Sequence, residues 1–194
     1  MQYSPFSRPA PRARFLARPF MLACGIAAFV GWAGAPGLAQ EAADSTAAQA
    51  FSASVADRDG EARGTATATP LASGGYLLVI EISGMPEGIH ASHLHETGAC
   101  EAPDFASAGG HITGDHAHGV MDEGGAHPGE LPNLHIPASG DLTVEYFAPS
   151  LTEAMLTDED GAAFVIHAGP DDYASQPAGN SGDRIACGIF TPVE

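Results

Sequence analysis

The sequence predicts an all-β fold, a sandwich or barrel of short strands joined by unusually long connections. Three observations lead there. In YLLVIEISG (76–84), Tyr76, Leu78, Ile80 and Ile82 alternate with Leu77, Val79, Glu81 and Ser83, the period of two expected of a half-buried strand. Similar β-branched or aromatic runs recur, bounded by Gly, Pro and Asp. No segment carries the apolar stripe of an amphipathic helix.

The chain begins with an export pattern. Arg8, Arg12, Arg14 and Arg18 precede the apolar run FMLACGIAAFVGWAGA, and GLAQEA supplies small residues at a cleavage site. This predicts a signal peptide over 1–39, cut after Ala39. An uncleaved membrane anchor is the competing reading, because residues 20 to 39 are nearly long enough to span a bilayer; their glycines and Pro36 favour cleavage. Cys24 lies inside the run and is discarded with it. Without an adjacent arginine pair, general secretion is the expected route. Residues 40–50 are small and polar, a flexible leader, and 51–194 suffice for one domain with one core.

Within that domain FSASVADRDG and GTATATPLAS predict two strands, 76–84 a third, and DLTVEYFAP (141–149), AAFVIHAGP (162–170) and RIACGIFTPV (184–193) three more. The connections 96–140 and 168–183 are rich in Gly, Pro, Asp and His and poor in apolar residues. Loops of that length inside a domain are usually functional or disordered, and their histidines argue for function.

Charge narrows the partners. The chain has 24 acidic residues and no lysine, and beyond the signal only Arg58, Arg63 and Arg184 are basic. Such a surface repels nucleic acid and, once the signal is gone, anionic membranes. Cys100 and Cys187 remain, and an even pair in an exported protein suggests a disulfide, although two free buried thiols would satisfy the same count.

Nine histidines, at 90, 93, 95, 111, 116, 118, 127, 135 and 167, fall mostly in the long connections. On a strand, residues two apart share a face, so His93 and His95 can approach one ion together. His111, His118 and His127 follow in a Gly-rich stretch, with Glu130 just beyond and His167 on a distant strand. Imidazoles with a nearby carboxylate suit copper or zinc rather than magnesium or calcium.

From His90 onward the chain resembles the copper/zinc superoxide dismutases, in particular their exported bacterial members. The resemblance runs through H-x-x-H-x-H, GACEAPDFASAGGH, HG, HPGELPN and VIHAGPDDYASQPAGNSGDRIACG, in order and near family spacing. It implies a Greek-key β-sandwich or flattened barrel of about eight antiparallel strands with two long functional loops. Residue by residue, it makes His93, His95, His111 and His167 copper ligands, with His111 bridging to a zinc held also by His118, His127 and Glu130. It makes Asp171 the outer carboxylate linking the two sites, Cys100 and Cys187 a disulfide, and Arg184 the guanidinium that docks superoxide beside copper. His111 would release copper and take up a proton when copper is reduced. His90 would hold backbone near the site, whereas His116 and His135 read as solvated, with His116 an alternative ligand to His118. The implied activity is dismutation of superoxide by a monomer or homodimer, periplasmic or secreted; a non-catalytic copper or zinc binding protein on the same fold is the alternative.

Three departures bear on the site. Ala91-Ser92 stands where the family has Gly-Phe, which puts a hydroxyl on the same side as Leu94 and costs packing unless a neighbour fills the space. Glu130 stands where the family has aspartate, so a tetrahedral site requires the loop to shift. His111 and His118 are one residue closer than in the family, and SAGGHITG lacks its Phe-Asn-Pro.

Overall fold

The computed structural model describes residues 48 to 194; the expected signal peptide and residues 40–47 of the expected leader lie outside the described residues. Three strands, β1 (Phe51–Asp57), β2 (Ala62–Pro70) and β3 (Tyr76–Ile82), form an antiparallel meander. β3 continues to β7 (Leu142–Ala148), while β1 pairs on its other side with β9 (Arg184–Pro192), then β8 (Ala163–His167) and β5 (Ser92–His95). The resulting sheet has seven strands in the order β5-β8-β9-β1-β2-β3-β7, every pairing antiparallel. All six strands read from the alternation are present, and Tyr76, Leu78, Ile80 and Ile82 are buried as their spacing requires.

Two strands escape the periodicity. β4 (Gly88–His90) and β6 (Leu134–Ile136) form a separate two-stranded sheet, each too short to show a repeat. A single helical turn, α1 (Ala154–Thr157), is missed for the same reason. β4 and β5 are nearly one strand that changes sheets at Ala91. There the Ala91 N–H donates to Gly169 O at 2.8 Å and the His167 N–H donates to Ala91 O at 2.9 Å. That corner sets His93 and His95 beside His167.

The main core is built from Phe51, Val55, Leu78, Ile80, Leu94 and Phe164, with Leu134 and Leu151 closing it. β8 is buried on both faces. Phe164 and Ile166 enter the main core, while Ala163 and Val165 join Phe105, Ala108 and Cys187 in a second small cluster beneath the connection after β5. Alternation along one strand thus serves two cores, which explains its continuous apolar sequence. Ser92, also fully buried, donates its hydroxyl to Pro132 O at 3.4 Å, so the polar group in the aromatic's place has a partner.

Cys100 and Cys187 form a disulfide across 87 residues of sequence, with Cα atoms 5.7 Å apart. It fastens the connection after β5 to β9. Replacing both cysteines with alanine should remove about 4 to 5 kcal/mol of stability by the loop-entropy relation. Guanidinium unfolding of the two proteins under oxidising conditions measures the difference.

Candidate metal centre

His93 and His95 project from one face of β5, and the outer edge of that strand is covered by the following connection. Leu94 N–H donates to Gly129 O at 2.7 Å, Ile112 N–H donates to Leu94 O at 2.9 Å, and isolated bridges join His95 to His111 and His93 to Glu130. The loop backbone therefore continues the ladder, which satisfies the edge and carries His111 and Glu130 to the histidine pair. His167, the last residue of β8, completes a buried quartet: His93, His95, His111 and His167 each offer a ligand atom within 4.8 Å of all the others.

In four of the rings the hydrogen bonds occupy one nitrogen and leave the other bare. His95 Nδ1 lies 3.0 Å from Gly109 O, His167 Nδ1 3.2 Å from Gly182 O, and His127 Nε2 2.9 Å from His116 O. His93 Nε2 lies 2.8 Å from Asp171 Oδ2. A carbonyl or carboxylate only accepts, so these nitrogens carry the hydrogens. The opposite atoms, His95 Nε2, His167 Nε2 and His93 Nδ1, are buried without a hydrogen-bond partner, and His127 Nδ1 has only the Glu130 carboxylate beside it. His111 and His118 have no hydrogen bond at either nitrogen, His118 Nε2 facing the Asp171 carboxylate. An unsatisfied buried polar atom costs about 1 to 3 kcal/mol, so this concentration of them points to a partner outside the chain. Buried bare imidazole nitrogens with a carboxylate fit copper and zinc.

Burial also holds the rings neutral, the state that ligates. It lowers His95 to about 3 and His167 to about 4, and it lowers His111 and His127 as well. Arg184, paired with His167 and sharing Gly109 O with His95 Nδ1, adds to the depression of both.

A second group adjoins the first. His111, His127 and Glu130 bring their ligand atoms within 4.8 Å of one another, with His127 Nδ1 3.0 Å from Glu130 Oε1. His118, expected in this set, groups instead with His93 and Asp171, while its Nε2 stands 3.5 Å from Glu130 Oε1. The extra methylene of Glu130 is taken up locally: both of its oxygens accept from the Gly119 N–H, at 2.9 and 3.1 Å. Gly119 has φ +105°, and a Cβ there would strike Tyr173 O, so no other residue fits.

Asp171 lies between the two groups. Its Oδ2 is 2.8 Å from His93 Nε2 and 3.1 Å from His118 Nε2, and its Oδ1 accepts from the Tyr173 N–H at 2.7 Å. Burial pushes this carboxyl up, but the His93 and Tyr173 hydrogen bonds outweigh it and hold it below the usual range. Asn133 fixes the Asp171 backbone through two bonds, Asp171 N–H to Asn133 Oδ1 at 2.8 Å and Asn133 Nδ2 to Asp171 O at 2.9 Å. Asn133 was not among the sequence candidates; its only signal was its place in HPGELPN.

Three histidines stay outside the ligand groups. His90 is buried with its ring nitrogens against His167 O at 2.8 Å and Pro86 O at 3.2 Å. His116 and His135 are exposed. Arg184, at the start of β9 and paired with His167, donates from Nη1 to Phe105 O at 2.7 Å and from Nη2 to Gly109 O at 2.6 Å. Arg58 is paired with Asp183 at 3.3 Å and Arg63 with Asp57 at 2.6 Å. Among the described residues Arg184 is the arginine with no carboxylate partner, and it borders an open cavity of about 430 Å³ lined also by Arg58, Asp104 and Asp183.

Comparison with known proteins agrees with this geometry. A family model described as copper/zinc superoxide dismutase matches residues 62–190. The chain is 39% identical over 140 residues to a Cu-Zn superoxide dismutase of Caulobacter vibrioides, covering 68% of this chain and 80% of that protein. It is 41% identical over 144 residues to Cu-Zn superoxide dismutase 1 of Aquifex aeolicus, covering 71% and 85%. Among crystal structures, a SOD-like protein from Bacillus subtilis, 36% identical, superposes with a TM-score of 0.67 over 71% of this chain and 96% of that one.

The depressed histidines predict a pH response of the metal-free protein. Between the unfolded value of about 6.5 and the folded values near 3 and 4, the unfolded chain binds protons that the folded chain does not. The stability associated with neutral rings is therefore complete above about pH 6.5 and falls as pH drops toward 4. Guanidinium midpoints of metal-free protein at pH 7.5, 5.5 and 4.5 should decline, and the decline should be shallower in His95→Gln and His167→Gln.

Proposed function

The chain belongs to the copper/zinc superoxide dismutase family, and from that premise we propose that it dismutates superoxide in the periplasm or outside the cell, with Arg184 docking the anion. The observation that carries this is the quartet His93, His95, His111 and His167, each buried with a ring nitrogen that no protein group satisfies, beside an arginine whose hydrogen bonds go to carbonyls and not to a carboxylate. Copper held by His93, His95, His111 and His167 would supply one-electron redox chemistry, and zinc held by His111, His118, His127 and Glu130 would supply none, serving only to secure the shared ring.

The chain's own residues supply the rest. His111 belongs to both the quartet and the group with His127 and Glu130, and neither of its ring nitrogens has a protein partner, so it would serve both metals and could hold a proton that the peroxide product needs. Asp171 holds the hydrogen on His93 Nε2 and thereby keeps Nδ1 available as a ligand atom. The Arg184 guanidinium, steadied by two carbonyls, keeps donors for a small anion. Screening beyond roughly 8 Å at physiological salt lets this local charge prevail over a distant acidic surface. Export is supported by the N-terminal arginines and apolar run and by the disulfide, a bond favoured in oxidising compartments.

Metal content and superoxide dismutation measured on one purified sample test the reading. Copper and zinc in equal amounts with fast turnover are expected; tight copper binding with negligible turnover identifies a non-catalytic metal-binding protein. Arg184→Ala should lower kcat/KM by roughly 10- to 1000-fold, the range of electrostatic steering, while leaving copper content unchanged. It should also flatten the dependence of the rate on ionic strength.

A further inference from the structure

The segment PDDYASQPAGNSGDR contains a residue with no role in the reading above, yet its side chain reaches the backbone of a zinc-site histidine. Gln176 Oε1 accepts from the His118 N–H at 2.9 Å, and Gln176 Nε2 donates to His118 O at 2.7 Å. A side-chain amide has the donor and acceptor spacing of a peptide group, so this pair imitates one rung of a strand ladder between residues 58 apart in sequence. His118 is 1% exposed and lies in no regular element, so its backbone has no ladder of its own to hold it.

The loop that bears Gln176 is itself braced. The Asp172 carboxylate accepts from the Ala174 and Ser175 N–H groups at 3.0 and 2.8 Å, from Ser175 Oγ at 2.6 Å and from Asn180 Nδ2 at 3.0 Å. These bonds lower Asp172 to about 2, chiefly through Ser175. One loop therefore touches His118 at two levels: Asp171 at the ring and Gln176 at the backbone.

We propose that Gln176 is a positioning residue for zinc, clamping the His118 backbone so that the imidazole meets the site in a single orientation. This rests on the assignment of His118 as a zinc ligand. With the backbone clamped, only the two side-chain torsions of His118 are left to place its ring. Without the clamp, a buried N–H and C=O lose their partners, and the segment from His116 to Gly119 can shift. That shift reaches further than His118, because His116 O orients His127 and the Gly119 N–H holds Glu130. Gln176 thereby supports three zinc-site residues through one short stretch of backbone.

The test uses the full chain, with zinc affinity measured by chelator competition and amide hydrogen exchange measured on the metal-free protein. Gln176→Ala should weaken zinc binding roughly 10- to 100-fold, the range for loss of a group that orients a ligand. Copper affinity should be unchanged, and the His118 amide should exchange faster while β3 amides do not. Gln176→Glu, which keeps the acceptor and loses the donor, should show a smaller loss. Zinc binding within twofold of wild type in Gln176→Ala, alongside a clear loss in His118→Ala, overturns the clamp and leaves the ligand assignment standing. Unchanged zinc affinity in His118→Ala overturns the assignment and the clamp together. Equal loss of copper and zinc with faster exchange in β3 shows general destabilisation and also overturns it.

Discussion

The Asp171 carboxylate, 2.8 Å from His93 on one side and 3.1 Å from His118 on the other, joins the two halves of the metal centre through a single atom, Oδ2. Much of the surrounding architecture keeps that atom in place. Asn133 holds the Asp171 backbone, the Tyr173 N–H holds the other oxygen, and Gly179 makes room, since a Cβ there would strike Oδ1. A carboxylate so held fixes which nitrogen of His93 carries hydrogen. The bare nitrogen then faces the quartet, so the chemistry of the centre follows from a hydrogen-bond choice made outside it.

Buried, unsatisfied imidazoles are costly to a folded chain, and this protein collects several in one place. It tolerates them because rigid elements surround them. β5 and β8 supply three of the quartet from neighbouring strands, and the loop backbone that covers β5 supplies the fourth. The disulfide fastens the connection after β5 to β9, so Gly109, which accepts from both His95 and Arg184, is carried on a tethered segment. Stability and function meet at that carbonyl. The same contact that orients a ligand ring also aims the guanidinium.

The charge distribution follows a similar economy. Two of the three arginines in the domain are neutralised by neighbouring aspartates, and Arg58 additionally donates from Nε to Arg184 O at 2.7 Å. Arg184 spends its hydrogen bonds on carbonyls, which are neutral, and so keeps its positive charge at the cavity rim. Among the described residues, Arg184 is thus the one arginine without a carboxylate partner, and it shares the Gly109 carbonyl with His95.

The sequence by itself determined the strands whose side chains repeat with a period of two, because burial on one face of a sheet leaves a local record in the residue order. It also determined the histidines and their donor chemistry, since ligand type is a property of the side chain alone. β4 and β6 left no such record, being three residues each. Only the tertiary structure decided which nitrogen of each ring is bare, because that depends on carbonyls such as Gly109 O and Gly182 O brought from distant segments. It also decided that Glu130 is anchored by Gly119 and that Gln176 meets His118, contacts spanning 11 and 58 residues with no periodicity to announce them. Residue identity is written in the chain, but the partner of a buried polar atom is chosen by the fold.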